Sequence, residues 1–208
     1  MAKFETKVII RYEDGRYGNI YDDVVRVCKE NGYTIVSSNG KYGILDEEGE
    51  EIVPLKYDYI YDFKNGLAEV KIDEKHGCIN KEGEEIVPPK YDYIYGFKNG
   101  LAKVKIDEKH GCINKKGEEI VSLKYDDIDD FENGLAIVQL NGKFGYINEE
   151  GEEIISPKYD SAHRFHNKFF TIVRLNNKYG IISREGEEII SPRHDTKQEL
   201  KEDFFNLI

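Results

Sequence analysis

Lys71-Ile72-Asp73-Glu74-Lys75-His76-Gly77-Cys78-Ile79-Asn80 recurs without a change at 105–114, thirty-four residues on. Looser copies centre on Tyr42-Gly43, Phe144-Gly145 and Tyr179-Gly180, with a worn one at Tyr17-Gly18. The glycines at 43, 77, 111, 145 and 180 are separated by 34, 34, 34 and 35 residues. A step so regular marks a chain built from one small unit, used about six times, that packs chiefly on its neighbours.

Within the copy at 67–100, Leu67-Ala68-Glu69-Val70-Lys71-Ile72 alternates with period two and reads as a strand. Asp73-Glu74 fills the slot held elsewhere by Asp14-Gly15, Asn39-Gly40, Asn141-Gly142 and Asn176-Asn177. A two-residue hairpin turn wants such pairs because both central residues take positive φ. Glu74 and Glu108 suit that slot poorly, so a strained or different turn is expected there. His76 to Asn80 forms the second strand. Asn80 and Gly83 then stand at the first and fourth positions of a type I turn, as do Asp46/Gly49, Asn114/Gly117, Asn148/Gly151 and Ser183/Gly186. Glu85-Ile86-Val87 reads as a short third strand ended by Pro88-Pro89, because proline cannot donate to a ladder. Lys90-Tyr91-Asp92 opens an aromatic connector running through Ile94 and Phe97 to Asn99-Gly100. The hairpin register places Ala68 opposite Ile79 and Val70 opposite Gly77, with Val87 on the far side of Gly77. A dimple results, to be filled by an aromatic ring of a neighbouring unit.

The expected fold is all-β: a tandem array of about six three-stranded antiparallel units of ~34 residues, forming an open solenoid, with a closed β-propeller as the alternative. One domain spans 1–195, with a degenerate N-terminal unit at 8–38 and units near 39–66, 67–100, 101–134, 135–168 and 169–195. A capping helix at 196–208 is expected from Asp195 and Gln198 at its start and from Leu200, Phe204, Leu207 and Ile208 on one face.

The chain has 41 acidic and 30 basic residues, for a net charge of −11. Such a surface repels phosphate backbones and anionic lipid, which argues against nucleic-acid and membrane partners. Fifteen tyrosines and ten phenylalanines, with alternating runs of Ile and Val, supply enough apolar area for a core. Three cysteines, Cys28, Cys78 and Cys112, make no even disulfide framework, and no signal-like apolar run follows Met1. The expected compartment is the cytoplasm.

The unit resembles the bacterial WG repeat, also called the KWG repeat. The resemblance rests on Gly134-Leu135-Ala136-Ile137-Val138, Lys143-Phe144-Gly145-Tyr146-Ile147, the turn from Asn148 to Gly151, Ile154-Ile155-Ser156-Pro157 and Tyr159-Asp160, and it covers roughly 8–195. The chain contains no Trp: Tyr42, His76, His110, Phe144 and Tyr179 stand where the family has it. The resemblance implies an interaction or scaffold role with no defined catalytic site, and no cofactor is expected.

Four constellations carry chemistry. His76, Cys78, His110 and Cys112 have the donor set of a tetrahedral zinc site, but Ile44, Tyr146 and Ile181 at the position of Cys78 mark it as core, and no metal is expected. Lys-Tyr-Asp recurs at 56–58, 90–92, 124–126 and 158–160; a motif copied four times is fold chemistry, with Tyr packing and Asp bonding the turn backbone, because catalysis needs one asymmetric constellation. Tyr59, Tyr61, Tyr93 and Tyr95 give way to Asp127, Asp129, Ser161 and His163 in the next copies, the behaviour of exposed positions suited to recognition. The stretch His163-Arg164-Phe165-His166-Asn167-Lys168-Phe169-Phe170 is locally basic and aromatic, and His163, Arg164, His166, Lys168 and Phe169 are candidate contacts for an acidic or phosphorylated partner. The function expected is a non-enzymatic module that binds another protein. The alternative is a carbohydrate- or cell-wall-binding module, in which exposed aromatics stack on sugars.

Overall fold

The computed structural model of the chain describes residues 10–11, 17–18, 23–28, 32–165 and 169–207. Two compact units divide it, 1–94 and 95–208. In the first, Ile10–Arg11 and Tyr17–Gly18 pair antiparallel. One four-stranded sheet follows from Asp23–Cys28, Tyr33–Ser38, Lys41–Leu45 and Glu51–Tyr57, and a second from Tyr59–Ile60, Leu67–Ile72, Lys75–Asn80 and Glu85–Tyr91. The second unit begins inside Tyr93–Lys98, which edges a sheet with Leu101–Ile106, Lys109–Asn114 and Glu119–Tyr125. Two further sheets repeat the plan: Asp127–Ile128, Leu135–Leu140, Lys143–Asn148 and Glu153–Tyr159, then Ser161–Ala162, Phe170–Leu175, Lys178–Ser183 and Glu188–His194.

The sheets are thus four-stranded rather than three-stranded, because the aromatic connector supplies a strand. Asn65 and Gly66 take φ of 53° and 87° between the bridged residues Lys64 and Leu67, and Asn133 and Gly134 repeat this between Glu132 and Leu135. At both places Asn-Gly therefore closes a second hairpin instead of marking a repeat boundary.

The central hairpin has the expected register, Ala68 opposite Ile79 and Val70 opposite Gly77. Its turn is the same in every described copy. Asp73 and Glu74 sit at φ 49° and 63°, beside 52° and 74° for Asn39 and Gly40, so Glu does not change the turn type. Lys71 Nζ reaches Glu74 Oε2 at 2.8 Å, and Lys105 reaches Glu108 at 2.8 Å, which anchors each side chain over its left-handed backbone. Asn80 closes its turn as read from sequence: Gly83 N donates to its carbonyl at 3.1 Å and Glu84 N to its Oδ1 at 2.8 Å.

The third strand departs from expectation. Glu85–Tyr91 runs through both prolines, with Val87 opposite Cys78 and Tyr91 opposite His76. Four steps on this strand match two on its neighbour, so the extra residues bulge outward. Prolines are tolerated at such a place because they owe the ladder no donor there. The bulge also explains Gly77. A Cβ there would lie 2.5 Å from the Val87 carbonyl oxygen and 2.7 Å from Pro89 N, so backbone of the same sheet, and no neighbouring ring, fills the space.

Within each unit adjacent sheets share a core. In the first unit Tyr33, Ile35, Ile44, Val53 and Tyr57 of one sheet pack with Ile60, Ala68, Val70 and Ile79 of the next. His76, Gly77, Cys78 and Ile79 are all buried, so the central strand is covered on both faces. The C-terminal helix, Lys197–Phe205, starts one residue later than expected: Thr196 is its cap, accepting from Glu199 N at 3.2 Å, while Glu199 Oε2 accepts from Asp195 N at 3.0 Å. Leu200 is fully buried and Phe204 lies 4.7 Å from the Phe170 ring, but the helix ends at Phe205 and leaves Leu207 exposed.

Candidate functional site

Lys-Tyr-Asp braces neighbouring sheets. Tyr57 is buried, and its hydroxyl donates to Glu85 Oε1 at 2.7 Å, alongside Lys56 Nζ at 2.7 Å; Tyr125, Lys124 and Glu153 repeat the arrangement at 2.8 Å and 2.8 Å. Burial first, and then Glu85, push the Tyr57 hydroxyl up to about 12. Asp58 accepts from Lys41 Nζ at 2.5 Å and from the turn amide of Asp73 at 2.8 Å. Lys109 to Asp126 and Lys143 to Asp160, each 2.5 Å, are its counterparts in the second unit. These groups are spent on the fold.

The aspartate clamp carries a pH prediction. Hydrogen bonds from Lys41, Lys109 and Lys143 hold the carboxyls of Asp58, Asp126 and Asp160 below the ordinary value of 3.8. A depressed folded-state value means that the unfolded chain binds protons first. Stability is therefore full above the ordinary carboxylate range and is lost as pH falls through the folded values. Urea midpoints of wild type should drop between pH 7 and pH 3, and an Asp58→Asn, Asp126→Asn, Asp160→Asn variant should drop less over the same interval. Equal slopes would remove the clamp from the account.

Among the described residues no group of three or more His, Cys, Asp or Glu is placed to hold a metal. Cys78 and Cys112 are buried, and burial pushes their thiols up to about 12 and about 11. His76 Nδ1 lies 2.5 Å from Glu69 Oε1, whereas His110 Nδ1 donates to the Asp126 carbonyl at 2.9 Å.

The tyrosines form a surface row in the first unit. Tyr61 is 41% and Tyr93 53% exposed, and Tyr59 is half-buried. Tyr59 meets Tyr42 at 5.1 Å and Tyr61 edge-on at 4.7 Å, and Tyr93 stacks on His76 at 5.2 Å. The residues at the family's Trp position thus form the inner layer of the row. The sequence offers His76 as a zinc donor, a reading set aside above, but does not show this role directly. Its signal was the equivalence of His76 with Tyr42 and Tyr179, which marks a ring site rather than a ligand site. In the second unit Tyr95 is 45% exposed, 6.0 Å from His110, and carries Lys103 Nζ over its ring at 4.6 Å.

The Arg164 guanidinium pairs with Glu132 and Asp129, and His163 Nε2 lies 3.1 Å from Lys197 Nζ. Phe165 is buried and Phe169 is 73% exposed. His166 and Lys168 lie outside the described residues.

The model of the WG containing repeat matches residues 42–75, 77–109, 111–144 and 144–179. The chain belongs to the WG-repeat family. Each matched WG repeat begins at or beside the ring-Gly pair of a central strand, so the family period and the structural period coincide. Among curated proteins no sequence matches. Solved structures similar to it include Hsv2 of Kluyveromyces lactis, 10% identical over 77% of this chain and 60% of that one, with a TM-score of 0.35. Others are PorZ, a surface component of the type-IX secretion system of Porphyromonas gingivalis (10% identity, 89% and 29% covered, TM-score 0.36), and a putative TolB of Agrobacterium tumefaciens (9%, 83% and 80%, TM-score 0.31). The chain spans about three fifths of the length of that Hsv2. Among the described residues no helix is long and apolar enough to cross a membrane.

Proposed function

We propose that this WG-repeat chain is a non-enzymatic interaction module that binds another protein through the tyrosine row of its first unit. The carrying observation is the exposure of Tyr61 and Tyr93 above an inner layer of Tyr42, Tyr59 and His76. Rings held edge-on and stacked lose little freedom on binding and bring large contact area, the chemistry of interface anchors. The repeated Lys, Tyr and Asp groups brace the sheets and so do not supply the contact surface.

Tyr59→Ser, Tyr61→Ala, Tyr93→Ser tests this. Ser is accepted at 59 and 93, since Ser161 stands at the corresponding position of a later repeat, and 61 is an exposed position that becomes Asp129 and His163. Tagged wild-type and variant protein would be used to capture partners from lysate of the native host, read by quantitative mass spectrometry. A stoichiometric partner of the wild type should be retained at least about tenfold less by the variant, since an anchor aromatic contributes about 2 kcal/mol or more. Unchanged capture with an unchanged melting curve would overturn the assignment.

A further inference from the structure

Residues 56–80 and 90–114 are the same at every position but two: Asp62 stands for Gly96, and Glu69 for Lys103. Both exchanges make the first copy more negative, by one charge and by two. The second of them falls at the tyrosine row.

In the second unit the structure shows what the Lys does. Lys103 Nζ sits 4.6 Å from the centroid of the Tyr95 ring and is held there by the Ile128 carbonyl at 2.9 Å and Asp127 Oδ1 at 3.3 Å. The ring face and two oxygens make a cation site that the chain fills with its own ammonium. In the first unit the corresponding strand pair carries Tyr61 and Glu69. Tyr61 N donates to the Glu69 carbonyl at 2.9 Å, so the two are cross-strand neighbours with side chains on one face. The Glu69 carboxylate is oriented by His76 Nδ1 at 2.5 Å, and His76 is stacked on Tyr93. Burial first, and then the charges of Glu69, Tyr59 and Tyr93, hold the Tyr61 hydroxyl above its ordinary value. Lys71, which also acts on Tyr61, is paired with Glu74 at 2.8 Å. The first copy keeps the ring, adds a second exposed ring and replaces the resident ammonium by a carboxylate.

We propose that Tyr61, Tyr93 and Glu69 form a cation-recognition site that takes a lysine or arginine side chain of a partner protein, in the place Lys103 fills over Tyr95. The inference rests on the interaction-module reading and names the chemistry of its partner: a basic segment. Ring and carboxylate attract the same charge, and a chain of net charge −11 draws such a segment in.

The two copies supply reciprocal variants. Glu69→Lys gives the first the residue of the second, and Lys103→Glu the reverse. Both should fold, since each copy already folds with the other's residue, and His110 shows that the imidazole finds a backbone acceptor where no Glu69 equivalent exists. Nα-acetyl-lysine methylamide would be titrated into full-length protein carrying ¹³C-labelled tyrosine rings, with sodium chloride at matched ionic strength as control. In wild type the Tyr61 and Tyr93 signals should shift saturably and Tyr95 should not. Glu69→Lys should weaken the Tyr61 response at least about tenfold, and Lys103→Glu should create a response at Tyr95. No Tyr61 shift in wild type, or an unchanged titration in Glu69→Lys, overturns the site. If tyrosine substitution abolishes partner capture while Glu69→Lys retains it and no ring signal moves, the interface stands and the cation site falls. If Tyr61 titrates as stated but capture ignores the tyrosines, the site stands and the interface reading falls.

Discussion

Gly77→Ala is expected to destabilise the first unit by about 3 kcal/mol, the upper range for forcing volume into a packed site. The added methyl would sit 2.5 Å from the Val87 carbonyl oxygen, 2.7 Å from Pro89 N and 3.0 Å from the Pro88 carbonyl carbon. All three atoms are backbone, fixed by the ladder on one side and the proline rings on the other, so no flexible side chain can yield. Relief requires the bulge to open, which breaks the pairing of Val87 with Cys78. Gly40→Ala is the control in the neighbouring sheet. It has open space around its Cβ but φ of 74°, so its cost is conformational and near 1 kcal/mol. Urea unfolding of the two variants separates the causes. If Gly77→Ala costs no more than Gly40→Ala, the backbone-contact account of the repeated glycine is wrong.

That glycine shows where the sequence stopped being legible. Its period located the repeats, and turn pairs such as Asn39-Gly40 and Asn80/Gly83 located turns, because turn chemistry is local and reads directly from residue type. The Asp of Lys-Tyr-Asp was likewise readable as a turn brace. The reason for glycine was not, because it depends on a strand that arrives ten residues later and bulges over it. The extra connector strand escaped for a different reason. Asn65-Gly66 carries the strongest hairpin signal in the repeat, but Tyr59–Ile60 is only two residues long and shows no alternation. At the candidate site, exposure of Tyr61, Tyr93 and Tyr95 followed from what replaces them in later copies. Their organisation did not: which ring lies over Lys103, and which beside Glu69, is set by cross-strand pairing. Arg164 read as a free cation because Glu132 and Asp129, its partners, lie more than thirty residues upstream.

Leu200→Ala should act at the other end of the chain and remain local. Leu200 is fully buried against Ile181 and Ile190, with Phe204 packed beside Phe170. Truncating it removes about 3 kcal/mol, since the cavity is walled by strand side chains that cannot close over it. The helix is otherwise tied to the last sheet by Phe204 on Phe170 and by Asp203, which accepts from Arg193 at 2.6 Å and lies 3.0 Å from His194 Nε2, while Phe205 and Leu207 face solvent. In a repeat chain each unit draws stability from its neighbours, so a deficit at one end is not shared evenly. Amide hydrogen exchange should therefore lose protection in Phe170–Leu175, Lys178–Ser183 and Glu188–His194, while Leu67–Ile72 and Lys75–Asn80 keep theirs. Uniform loss along the chain would mean that the two units unfold as one cooperative body. The terminal helix would then stabilise the whole array rather than close the last sheet.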